Sequence, residues 1–275
     1  MIDSREDQAA GLRRLFRCAP PHVAVLYATG RHRASTALDT ARRLAGRRSR
    51  LLLLDEAGKE AGKEAGLHHL LDEPPGVDLL SVLGEGTHLR DLLQPVPGLL
   101  GRISIEAAAL ALPLLDDTRR AQLVSALRGI FRPTSAVLIH SSLENAADPS
   151  PFVYAAPRHL IVAEASHSGA TETFQLITHL AQAGVSSLHV TVARARDAHE
   201  AQAFFASLNS IVRGRIGVPL AWLGRMEHDN LIAGMVRNAA SVSQRGAEAA
   251  FLQRLERMAR SGALGLRPLQ HGMAS

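Results

Sequence analysis

The 275-residue sequence predicts an α/β protein: a doubly wound, mostly parallel sheet with helices on both faces, preceded by an amphipathic helix. Three observations lead there. Short apolar runs at 22–28 (HVAVLYA), 50–54 (RLLLL), 136–139 (AVLI) and 159–163 (HLIVA) read as strands buried on both faces. Segments with apolar residues at helical spacing lie between such runs, so strand and helix alternate. The first strand–loop–helix–strand unit, over residues 22–55, is the right-handed crossover that seeds a parallel sheet.

The elements follow in order. Residues 4–17 form a helix with Ser4 and Asp7 at capping-box spacing and an apolar stripe of Ala9, Leu12, Leu15 and Phe16. Pro20 and Pro21 stop it and make a stiff link. After the first strand, residues 29–33 are a polar loop and 35–46 a helix that Gly46 ends. Residues 58–66 repeat a GKEA unit and read as a loop. Short helices are expected at 79–83 and 89–93 around a turn at 84–86, and residues 103–112 suit either strand or helix. A helix at 118–131 leads to the strand that ends at His140, with Asp116 and Asp117 in ordinary N-terminal charge placement. Helices at 170–183 and 198–212 alternate with strands at 187–193 and 219–223, and further helices cover 230–240 and 247–260. The organisation expected is a leading helix (4–19), one domain (22–260) and a fraying tail (261–275).

Composition excludes several classes. Apolar residues make up 46% and charged residues 21%, so the chain can build a core. One cysteine, Cys18, forbids an internal disulfide framework. No apolar run approaches the ~18 residues of a membrane span. The polar start of the sequence argues against a secretory signal, so the expected place is the cytoplasm. The net charge of +5 is uneven, with +7 in residues 1–50, −6 in 51–150 and +4 in 151–275. With 4% aromatics and arginine scattered along the chain, the nucleic-acid signal is weak. The 13 histidines show no HxH, HxxxH or HExxH spacing, so no metal site is expected. No GxSxG elbow exists, and no catalytic residues are assigned.

In a sheet of this kind the ligand sits at the carboxyl ends of the strands. The loop there is TGRHRAST, residues 29–36. Gripping a nucleotide requires glycines for close backbone approach, a lysine for the phosphates and a hydroxyl for magnesium. The loop offers Gly30, Ser35 and Thr36 but also Arg31 and Arg33. Aligned on 23–36, it resembles the MinD/ParA branch of P-loop ATPases, whose loop reads KGGxGKTT. Thr29 stands at the branch-specific lysine, Arg31 and Arg33 at two glycines, and Ala34 at the phosphate-binding lysine. LLLLD at 51–55 resembles that family's LLLLDAD strand, keeping Asp55 and placing Ala57 at the second Asp. VLIH at 137–140 resembles its Walker B strand with His140 in place of Asp, and VTVA at 190–193 puts Ala193 where an adenine-reading Asn would stand. Two lost charge-assisted contacts cost about 3–6 kcal/mol. The resemblance therefore implies a P-loop fold with impaired ATPase chemistry and no required cofactor. A weak nucleotide or anion site at Gly30, Arg31, Arg33, Ser35, Thr36 and Asp55 would be all that is left for ATP and magnesium.

Within that branch, DQAAGLRRL at 7–15 resembles the DQAxxLR helix of the flagellum-number regulators FlhG (FleN, YlxH). Residues 66–93, and Leu223 and Gly224 with Asp229, resemble the same family's later segments. The resemblance implies that Asp7, Gln8, Ala9, Leu12, Arg13, Leu15 and Phe16 contact an FlhF-type SRP GTPase and stimulate it. Further implied partners are flagellar basal-body (C-ring) or transcription-regulator proteins, a second copy in a homodimer, and a transient stay at the cell pole or inner membrane. The stripe Phe251, Leu252, Leu255, Met258 and Ala259 reads as core packing rather than a membrane face. Two alternatives stay open: an active MinD/ParA-like ATPase switch with a divergent loop, and a ParA-like protein binding DNA without sequence preference.

Overall fold

Among the described residues seven strands, all paired in parallel, form one sheet in the order β3-β2-β4-β1-β5-β6-β7. The computed structural model describes residues 22–46, 50–57, 67–71, 76–84, 86–185, 187–227 and 247–260. The expected helix at 4–17, Cys18, the loop at 58–66, the helix at 230–240 and the tail lie outside the described residues.

The elements are β1 (His22–Ala28), α1 (Arg33–Ala45), β2 (Leu51–Asp55), α2 (Leu67–Leu71), β3 (Gly101–Ser104), α3 (Glu106–Ala111), α4 (Asp117–Phe131), β4 (Ala136–His140), α5 (Pro151–Ala155), β5 (His159–Glu164), α6 (His167–Gln182), β6 (Leu188–Ala193), α7 (Ala198–Arg215), β7 (Ala221–Arg225) and α8 (Ala247–Arg260). Two 3-10 turns, Leu79–Leu83 and Leu89–Leu92, occupy the places expected for short helices. The ambiguous stretch at 103–112 is both strand and helix: β3 ends at Ser104, and α3 starts two residues later.

The strands are apolar on both faces because both faces are covered. Along β1, Val23, Val25 and Tyr27 point into one core with Leu52, Leu54, Val137 and Ile139, roofed by α4, α6 and α8. Ala24, Leu26 and Ala28 point the other way, with Leu51, Leu53 and Leu138, against the Ala37, Leu38, Ala41 and Leu44 face of α1. That alternation is the period-2 geometry of a strand serving two layers. Phe251, Leu252 and Leu255 of α8 are buried in the first core, where Phe251 meets Phe131 at 6.0 Å. These three residues of the α8 stripe thus pack inward, while the side chains of Met258 and Ala259 lie outside those described.

Caps fix where the helices begin. Asp116 accepts from Arg119 N at the start of α4, Ser166 from Gly169 N at α6, and Asp197 from Glu200 N at α7. Asp78 ties two elements together, accepting from Leu80 N in its own turn and from Ala107 N and Ala108 N at the start of α3.

Because the chain leaves β1 toward β2 on one side, and later crosses β1 from β4 to β5 on the other, a crevice forms at the carboxyl edge of β1. Among the described residues no helix is long and apolar enough to cross a membrane.

Candidate functional site

The loop after β1 turns at Gly30, whose φ of +91° lies in the region only glycine adopts readily. A Cβ at Gly30 would also sit 2.6 Å from the Glu164 Cβ. Glycine is therefore required twice, for conformation and for room. The loop feeds α1, whose N-terminus carries unpaired N–H groups and the positive end of the helix dipole. Such a terminus attracts anions.

Here the anion is the protein's own. Gly30 N–H donates to Glu172 Oε2 at 2.7 Å, and His32 N–H to Glu164 Oε2 at 3.4 Å. His32 Nδ1 lies 3.2 Å from the same Glu164 oxygen. Glu164 ends β5 and Glu172 stands in α6, so two carboxylates from across the crevice reach the loop. Thr29 completes the closure: it is buried, and its hydroxyl shares a 2.8 Å hydrogen bond with Thr173. At the start of α6, Gly169 passes so near β5 that a Cβ would collide with the Glu164 carbonyl oxygen.

The other residues of the expected anion site are dispersed. Arg31 is exposed. Arg33 turns away toward Glu144, with Nη1 3.5 Å from Oε1. The Ser35 hydroxyl donates back to the His32 carbonyl at 3.0 Å. Thr36 is buried within α1, its N–H also bonded to the His32 carbonyl. The Gly30 N–H is itself engaged, by Glu172.

Asp55 lies deeper, at the end of β2. Its side chain is fully buried, and both oxygens are taken. Arg102 of β3 approaches Oδ2 with Nε at 2.7 Å and Nη2 at 2.6 Å, and its third nitrogen bonds Gln94. His140 of β4 approaches Oδ1 with Nδ1 at 2.8 Å. An ionised carboxylate only accepts, so the proton sits on His140 Nδ1. Burial pushes the Asp55 carboxyl up, but the His140 hydrogen bond and the charges of His140 and Arg102 outweigh it and hold it below the usual carboxylate range. His140 and Arg102 together thus occupy both oxygens of Asp55. Among the described residues no group of three His, Cys, Asp or Glu could hold a metal ion.

A phosphate entering this crevice would have to displace Glu164 and Glu172 and then lie beside their charges. Each charge-assisted hydrogen bond given up costs about 1.5–3 kcal/mol. Glu164, Glu172 and Arg102 were not singled out from the sequence. The signal for Glu164 was an acid terminating an otherwise apolar strand at the sheet's carboxyl edge; Glu172 gave none.

No protein-family profile matches the chain, and no curated relative does. The chain is similar in structure to a ParA family ATPase from Chlorobium tepidum TLS (14% identity, 85% of this chain and 98% of that one, TM-score 0.47). It is similar to MinD cell division protein from Aquifex aeolicus (18%, 85% and 96%, TM-score 0.45). It is also similar to cobyrinic acid a,c-diamide synthase from Mycobacterium smegmatis, a structure with bound ATP analog and magnesium (17%, 82% and 98%, TM-score 0.47).

Proposed function

We propose that this protein is a contact regulator of the FlhG type, working through protein–protein surfaces on a P-loop-like scaffold that has lost nucleotide turnover. The observation that carries the loss is the pairing of Gly30 and His32 N–H groups with Glu172 and Glu164. Arg31, Arg33 and Ala34 replace the glycines and lysine that phosphate binding needs, and Asp55 is spent on Arg102 and His140. The support for the partner is the DQAAGLRRL segment, with Gln8 as the residue offered to an FlhF-type GTPase. In this reading the protein acts in the cytoplasm, with a transient stay at the cell pole or inner membrane.

The test mixes the full chain with FlhF and follows GTP turnover. Stimulation that Gln8→Ala abolishes is expected. No stimulation, or stimulation indifferent to Gln8→Ala, would overturn the assignment.

A further inference from the structure

A second cavity, of about 600 Å³, opens at the carboxyl ends of β2 and β4. Glu56 lines it from the end of β2, Glu106, Leu110 and Leu114 from α3 and the turn after it, and Glu144 and Asp148 from the connection to α5. Among the described residues the lining holds four carboxylates and no basic side chain. Arg33 reaches only the rim, at Glu144.

Glu56 is the telling residue. It is 5% exposed, and its Oε2 meets no hydrogen-bond partner among the described residues. A buried carboxylate with an unused acceptor is costly. Burial, with the Asp55 charge added and the Ser150 hydroxyl opposing, pushes its carboxyl up to about 7. The carboxylates do not converge as metal ligands. They are spread around a space wide enough for an organic cation. At the mouth, Leu114 is 86% exposed and Leu110 75%, so the lip is apolar while the floor is acidic. A long side chain with an apolar stem and a cationic tip matches both zones. A nucleic acid would be repelled by the four acids.

We infer that this cavity docks an exposed segment of a partner protein, which inserts an arginine or lysine toward Glu56 and lays flanking apolar side chains on Leu110 and Leu114. The incoming cation would supply the partner that Glu56 Oε2 lacks among the described residues. Binding then ionises Glu56 and releases its proton, against the nearby charges of Asp55, Glu106, Glu144 and Asp148 and beside the buried Tyr27.

The probe is the peptide acetyl-SLRLS-amide, titrated into the full chain by NMR, with acetyl-SLQLS-amide and agmatine as controls. Amide shifts are expected in residues 56, 106–114 and 142–151, with affinity rising from pH 6 to pH 8. The Gln peptide should bind about tenfold more weakly or worse, as should the Arg peptide on Glu56→Gln. Leu114→Ser should weaken the peptide but leave agmatine unchanged. Glu144→Gln, altered at an exposed side chain, gives a second reading of the charge requirement. Shifts elsewhere, equal binding of the Gln peptide, indifference to both Glu variants, or agmatine binding as tightly as the peptide would each overturn the inference.

Discussion

Gly30 N–H donates to the Glu172 carboxylate over 2.7 Å, placing an acid from α6 where the loop after β1 would meet an anion. Glu164 does the same at His32. The loop and the opposite side of the crevice are thereby held together by groups that a phosphate would need to replace.

If these two acids occupy the anion's place, removing their charge should open it. The double variant Glu164→Gln, Glu172→Gln is expected to bind pyrophosphate about tenfold more tightly than the parent at low salt, read by calorimetry. Unchanged affinity would place the repulsion elsewhere.

Gly30→Ala should be destabilising by about 1–3 kcal/mol. The new Cβ meets Glu164, and the positive φ is strained for alanine. Chemical denaturation measures it. A Gly46→Ala control has positive φ but nothing within 4 Å of the added Cβ, which separates backbone strain from collision.

Asp55→Asn leaves Arg102 buried without a counter-charge and should cost about 3–5 kcal/mol. The lowered Asp55 pKa means its stabilisation is present above the unfolded carboxylate value of 3.8 and fades as pH falls through the lower folded value. The difference between parent and variant should therefore shrink in strong acid.

His159 and Glu56 titrate in opposite senses. Burial, then the neighbouring His189, lowers His159 to about 4 from 6.5. Its contribution is complete above 6.5 and is lost as pH falls toward 4. His159→Phe should flatten the melting temperature over that window. Glu56, raised to about 7 from 4.5, favours the fold below 4.5 and loses that contribution as pH rises through 7. Glu56→Gln should thus melt at a higher temperature than the parent at pH 8 and at nearly the same one at pH 4.

Much of the fold was legible because a parallel sheet buried on both faces writes itself as continuous apolar runs. His22–Ala28 and the helix Ala247–Arg260 fall where the pattern puts them. The last strand runs Ala221–Arg225 rather than 219–223: Pro219 lacks an N–H for the ladder, and Leu220 N bonds to Asn209 instead. The five-residue helix Pro151–Ala155 went unread, although Ser150 as cap and proline at its first position are its signature. The crevice was half legible. The loop's position at the carboxyl end of the first strand could be read along the chain. That His140 and Arg102 both close on Asp55 could not, because it depends on β4 inserting between β2 and β1 and on β3 lying at the edge.

The most direct measurement is a calorimetric titration of ATP with magnesium into the full chain. With Glu164 and Glu172 seated on the loop and Asp55 locked between Arg102 and His140, no binding tighter than about 1 mM is expected. Micromolar, magnesium-dependent binding that Ser35→Ala abolishes would contradict it.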